Sequence, residues 1–306
     1  MNTHPIKQHY VPQFYLKKFS PNKKTFYRLD KKSNLISSDI PIKTIAQEKR
    51  FYDVTFNKNQ INKKFFKEYL EEDKICTQKD DNIIISLEDW FSNQESIISN
   101  KYHYIIPNID KTTILDKNYI PSNETKDILC SLCNLLLNRG IQSQNLFNNK
   151  IYAENKLNLY KDYIYPMPKE DLSSFNNKLK KLLWFTTFMN SIKSIQLILL
   201  KKTFQILSIA PSSKNTLCTS DNPIVFYRPN NIHSSLGIST LYTQIFFSLS
   251  PYKVLRIFNP NEYPIIQETL KDKYITLINK LYYQQSKKYI FSRDYNSLLS
   301  LKNLNK

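Results

Sequence analysis

Only two glycines, Gly140 and Gly237, occur in 306 residues. Phosphate-cradling loops need several glycines at fixed spacing, because the backbone must come close to the phosphates without a Cβ in the way. No GxGxxG and no GKS or GKT pattern exists, which sets aside the commonest dinucleotide- and P-loop-binding enzymes. Serine lacks a GxSxG elbow, so a nucleophile-elbow hydrolase is not indicated either. Cysteine is scarce: Cys76, Cys130, Cys133 and Cys218. The first thirty residues are polar and basic with no apolar run, so a secretory leader is not expected. The cysteines are then expected as free thiols in a reducing cytoplasm. Long hydrophobic runs are missing too. The greasiest stretch, Leu182 to Ala210, is broken by Lys193 and the Lys201-Lys202 pair. It falls short of the roughly 18 unbroken apolar residues a membrane helix needs, so no membrane span or membrane partner is expected.

What is present is a globular composition, 41% apolar and 13% aromatic, in a chain long enough to bury a large core. Basic residues dominate, 44 Lys and Arg against 26 Asp and Glu, for a formal charge of +18. Lysine-, asparagine- and isoleucine-rich coding composition accounts for part of this. The distribution is uneven, however: +10 over residues 1–70, −6 over 71–127 and +14 over the remainder. A basic N-terminal part beside an acidic middle can steer a polyanion to one surface, so nucleic acid or another phosphorylated ligand is the expected partner class. The lysine doublets at 17–18, 23–24, 31–32, 180–181, 201–202 and 287–288 are scattered and read mainly as solvated positions.

Periodicity divides the chain into an N-terminal arm and strands, a helical middle and C-terminal antiparallel strands, which is an α+β fold. Residues 9–19 read as a short helix or an extended arm, and Thr25–Asp30 as a strand closed by the turn Lys31–Asn34. Residues 45–54 read as a turn entering a strand, and 62–72 and 84–102 as helices. Pro107 and Pro121 bracket a linker. Ser122 caps a helix whose buried stripe is Leu129, Leu132, Cys133 and Leu136. Further helices are expected over 145–161 and 170–208, and a turn over 211–214. Beyond it the period becomes two: strands at 217–220 and 224–227, a hairpin of 243–249 with 253–258, a helix over 262–286 and a last strand at 289–291.

Several residues are candidates for chemistry. Cys130 and Cys133 form a CxxC with no second pair to complete a zinc site, so on an apolar helix they read as core. His9 either anchors the arm by hydrogen bonds or transfers protons, since its pKa lies near working pH. Asp221, in Ser220-Asp221-Asn222-Pro223, either closes a strand with an Asx-turn or presents a carboxylate at a strand end as acid or metal ligand. Arg139 either caps the last carbonyls of its helix or offers its fork to a phosphate. Glu88 and Glu95 lie seven apart on one helix face, either solvated or able to share Mg²⁺.

Four of these segments together resemble a known family. His9-Tyr10-Val11-Pro12-Gln13-Phe14-Tyr15-Leu16, the Phe26-to-Lys31 strand, Ile45-Ala46-Gln47-Glu48 with Phe51-Tyr52, and Thr219-Ser220-Asp221-Asn222-Pro223 are similar to the bacterial domain-of-unknown-function family 4238. Phe247-Ser248-Leu249-Ser250-Pro251 resembles its later Pro-Leu-Ser-Pro block, with Ser248 in place of the usual proline, and Ser286-to-Ser292 resembles its closing helix and strand. The first and fourth motifs are the specific ones. The resemblance runs over nearly the whole chain and implies one domain, residues 1–306, without bringing an established reaction.

The leading expectation from the sequence is a nuclease-like effector, of the toxin or phage-defence kind, acting on RNA or DNA. His9 would exchange the proton. Asp221, helped by Glu95 or Glu48, would hold Mg²⁺ or Mn²⁺ or orient a water, and Arg139 would neutralise the phosphate. The alternative is a non-catalytic module binding nucleic acid or protein through its basic surface and aromatics such as Tyr10, Phe14 and Tyr15. A third reading, an enzyme on a small phosphorylated substrate, requires a closed pocket. Catalysis requires that His9, Arg139 and Asp221 meet in space.

Overall fold

The long apolar segment after residue 170 divides where its lysine pair falls. Asp171 accepts a hydrogen bond from Ser174 N and opens a helix that runs Leu172–Leu200; after Lys201 and Lys202 the chain turns and continues as the strand Thr203–Ser208. The helix expected over 170–208 is therefore a helix and a strand. The β-branched Thr203 and the hydrogen bonding of an adjacent sheet decide the second half against helix. The computed structural model describes residues 7–62, 67, 76–105, 118–139, 164–165, 171–229 and 237–304. The helix expected over 145–161 and nearly all of the one over 62–72 lie outside them.

Among the described residues the chain runs β1 Lys7–His9, α1 Gln13–Leu16, β2 Thr25–Asp30, β3 Leu35–Pro41, β4 Gln47–Lys49, β5 Asp53–Asn57, β6 Cys76–Lys79 and β7 Asn82–Ser86. It goes on through α2 Glu88–Ile105, α3 Asn123–Arg139, α4 Leu172–Leu200, β8 Thr203–Ser208, β9 Thr219–Ser220, β10 Ile224–Tyr227 and β11 Gln244–Ser250. Last come β12 Lys253–Phe258, α5 Asp272–Gln285, β13 Tyr289–Ser292 and α6 Tyr295–Asn303. The architecture is α+β. Every sheet among the described residues is antiparallel: a β1-β4 pair, β10-β11-β12-β8, β3-β2-β13-β9, and β5-β7-β6.

The sheet β10-β11-β12-β8 is covered on both faces, which is why every residue of β11 and β12 is buried. Side chains alternate across the pleat. Ile245, Phe247 and Leu249 join the cluster that holds Trp184 and Phe188 of α4, while Phe246, Val225 and Val254 pack with Ile275, Ile278 and Tyr282 of α5. One contiguous apolar cluster includes Tyr10, Trp184, Phe247 and Phe291.

Other boundaries shift for local reasons. Residues 84–86 belong to β7, pairing with β5, and the helix starts only at Glu88. The helix expected from 262 begins at Asp272. Before it Pro264 interrupts, and the carbonyls of Pro264 and Ile266 accept hydrogen bonds from Arg256 and Gln205 instead of building a helix. Strands β3, β6 and β7 and helix α6 carry too little periodicity to stand out. With glycine so rare, left-handed turn positions fall to other residues: Asn34 (φ 54°) closes the β2-β3 turn and Ala46 (φ 50°) precedes β4. Asparagine tolerates that region readily. Ala46 does so less well, and its carbonyl is held in place by Tyr10 N at 2.8 Å.

Candidate functional site

The arm residue His9 sits where β1 ends and α1 is about to begin. Its Nδ1 lies 3.0 Å from the Ile45 carbonyl, which can only accept, so Nδ1 carries the proton. Its Nε2 then accepts from Gln13 Nε2 at 2.9 Å. Gln13 is four residues on, at the first position of α1. Both ring nitrogens are therefore engaged in the neutral tautomer. Burial lowers the His9 pKa below its ordinary value, the Ile45 hydrogen bond opposes this, and the charge of Arg139 lowers it further.

Arg139, last residue of α3, is 2% exposed. It forms an ion pair with Glu95 of α2 and donates to the His9 backbone carbonyl. Its Nε donates to the Tyr52 hydroxyl at 2.7 Å, and the guanidinium lies over the Tyr52 and Phe91 rings at 5.2 and 4.9 Å. The Tyr52 hydroxyl is also 3.2 Å from the His9 carbonyl. Beside it Gln8, wholly buried, donates to Asp53 Oδ1 at 2.8 Å and accepts from Tyr52 N at 2.6 Å. These contacts join the arm to α2, α3 and β5. A buried guanidinium needs such a set, because its five donors cannot be left dry.

Asp221 is placed differently. It is 1% exposed, and its two oxygens accept from the backbone N–H groups of Lys287, Lys288 and Tyr289 at 2.9, 2.6 and 3.1 Å. Burial pushes its pKa up, while those three amides and Lys31 pull it back. The carboxylate ties the turn after β9 to the start of β13. Ser220 Oγ accepts from Asn222 N at 3.0 Å, the local closure expected of an ST-turn. Glu48, opposite Gln8 in the β1-β4 pair, faces Lys288 Nζ at 3.8 Å. Burial raises the Tyr10 phenol pKa, and the negative charges of Asp221 and Glu48 raise it further.

Of the five candidate residues, the structure thus joins His9, Arg139 and Glu95 in one network, through the His9 carbonyl and not its ring. No hydrogen bond or ion pair links Asp221 to any of them. Among the described residues no three His, Cys, Asp or Glu side chains gather to hold a metal. Tyr52 and Gln13, which complete the network, went unrecognised; the four-residue step from His9 to Gln13 is the one sequence signal that pointed to a partner. The CxxC thiols are core: burial pushes Cys130 up to about 12 and Cys133 well above its ordinary value.

The aromatics of the arm do not offer a stacking platform. Tyr10 and Tyr15 are buried, and Phe14 packs edge-on against Tyr102 at 5.6 Å. Among the described residues the most exposed ring lies elsewhere: Tyr104, near the C-terminal end of α2, is 88% exposed. Its neighbour His103 is exposed, and its pKa is lowered by partial burial and by the ammonium groups of Lys18, Lys17 and Lys23. Lys17, Lys23, Lys24 and Lys101 are exposed. Among the described residues no carboxylate pairs with them.

Residues 7–296 match the family described as "Protein of unknown function (DUF4238)". The chain belongs to this family. No curated protein and no solved structure matches it. Among the described residues no helix is long and apolar enough to cross a membrane.

Proposed function

We propose that this protein binds nucleic acid in single-stranded form on the face made by Lys17, Lys23, Lys24, Lys101, His103 and Tyr104. One observation carries this reading: Lys17, Lys23, Lys24 and Lys101 are exposed together with His103 and Tyr104, with no acidic partner among the described residues, and the His103 pKa is lowered first by burial and then by the charges of Lys18, Lys17 and Lys23. Like charges held together cost stability, so such a cluster is best explained by an anion that lies over it. Tyr104 adds a ring on which a base can stack, worth about 1–3 kcal/mol per base. It shares a helix side with Lys101, three residues earlier.

Fluorescence anisotropy with labelled single-stranded RNA and DNA at several salt concentrations tests this. Affinity is expected to fall steeply with salt, and Lys17→Gln and Lys23→Gln to lower the slope of log K against log salt by about 1 each. Salt-independent binding, or binding indifferent to both substitutions and to Tyr104→Ala, would overturn it.

Hydrolysis of the bound strand draws less support, because the ring nitrogens of His9 and the oxygens of Asp221 already have protein partners. Strand cleavage with Mg²⁺ or Mn²⁺, above that of a folded His9→Ala, Asp221→Ala double variant, would restore the nuclease reading.

A further inference from the structure

A second group of cations stands apart from the lysine face, in a cleft of about 360 Å³ between the turn after β8, the segment entering β9, and the start of α6. Its wall includes Lys214, Arg293, Tyr252, Ser213, Thr216 and Asn296. Asp294 also lines the cleft, and it and the neighbouring Asp272 have structural tasks. Asp294 caps α6, its Oδ2 accepting from Ser297 N at 2.8 Å and Ser297 Oγ at 2.7 Å. Asp272 opens α5 and accepts from the backbone N–H groups of Lys214 and Asn215 at 3.1 and 3.3 Å. The cationic heads have none. Among the described residues neither the Lys214 ammonium nor the Arg293 guanidinium makes an ion pair or hydrogen bond. Arg293 merely lies above the Tyr252 ring at 5.9 Å.

We propose that this cleft binds a small phosphate monoester. A planar guanidinium fork matches two phosphate oxygens at once, and a second, compact ammonium suits the remaining charge of a dianion. The volume lies within the range of small-molecule sites and exceeds that of a bare ion, leaving room for a short organic group. Hydroxyls of Ser213 and Thr216 and the Asn296 amide add polar groups to the wall beside the apolar Ile209, Ala210 and Pro211, which suits a short hydrophilic group such as a polyol. The proposal is independent of nucleic-acid binding at Lys17 and His103.

Titration calorimetry on the full chain with glycerol 3-phosphate, glycerol, inorganic phosphate and succinate tests it. Glycerol 3-phosphate is expected to bind, inorganic phosphate more weakly, and glycerol not at all. Arg293→Gln and Lys214→Gln should each weaken binding about tenfold or more, since each removes a charge-assisted contact. Arg293→Lys should fall between wild type and Arg293→Gln. All three substitutions leave the Asp272 and Asp294 caps in place, and melting curves confirm that the variants are folded. Lys17→Gln and Lys23→Gln should leave this binding unchanged, which separates the result from the nucleic-acid test. Absence of heat with glycerol 3-phosphate, succinate binding as tightly as the phosphate ester, or unchanged affinity in the folded Gln variants would each overturn the proposal.

Discussion

The end of the arm at His9 and the lysine face that begins at Lys17 are separated by little more than the single turn of α1, yet they treat polar groups in opposite ways. Around His9 the groups that sequence reasoning marked as chemical are held by protein partners: both ring nitrogens of His9, the guanidinium of Arg139 and the carboxylate of Glu95. Around Lys17, charges of one sign are left facing solvent. A specific motif and a reactive-looking residue therefore do not by themselves locate function. In this chain the most specific motif builds an anchor, and the least specific feature, a run of lysines, carries the unsatisfied charge that a ligand can use.

That contrast predicts its largest effect at Arg139. Replacing it by Met keeps most of the apolar stem but leaves Glu95 and the His9 carbonyl without their buried partner. Removing one member of a buried pair costs about 3–5 kcal/mol, and urea denaturation should show a loss of that size. A loss under about 1 kcal/mol would mean the network is not what holds the arm. Asp221→Ala comes next. Three backbone N–H groups lose their acceptor, and a cost of roughly 2–4 kcal/mol is expected from unsatisfied buried amides. Tyr15→Phe follows. Its hydroxyl lies 2.6 Å from Thr219 Oγ1 and donates to the Ser248 carbonyl at 2.9 Å, so the change should cost about 1–2 kcal/mol in the same experiment.

How far the sequence could be read follows the same line. The α+β class was legible, as were strands such as β2 and β12 and the capped helix at Ser122, because period and local chemistry declare them. The split of 170–208 into α4 and β8 was not, since an element buried on both sides loses its period and helix and strand then look alike. Among site residues, Arg139 and His9 were recognisable as important, but not in which way. The partners that settle it, Tyr52, Glu95, Ile45 and Gln13, come from two helices and the turns on either side of β4. Lys17, Lys23 and His103 could not be grouped from sequence, since some eighty residues separate the first two from the third.

A pH scan sharpens the comparison with a smaller effect. The folded-state pKa of His9 is lowered from 6.5, so the fold favours the neutral ring. The stability this brings is fully present above pH 6.5 and is lost as pH falls through the folded value. The urea midpoint should therefore drop below pH 6.5, and less so in His9→Gln. A residual slope from His103, lowered in the same direction, should persist in that variant. An identical pH profile in both proteins would show that His9 is protonated as easily in the fold as in the open chain.

The lysine face supplies the smallest stability effect and the sharpest separation. Lys17→Gln and Lys23→Gln remove exposed charges from a like-charged cluster, so stability should stay within about 0.5 kcal/mol of wild type, with any change a gain. Because both ammonium groups hold the His103 pKa down, the double variant should also raise it, a shift that NMR titration of the imidazole reads directly. Nucleic acid laid over the same face should raise it as well, so affinity should increase as pH falls below 6.5 and His103 takes up its proton. A His103 titration unmoved by both substitutions would dissolve the cluster, and with it the distinction between a satisfied interior and an unsatisfied face.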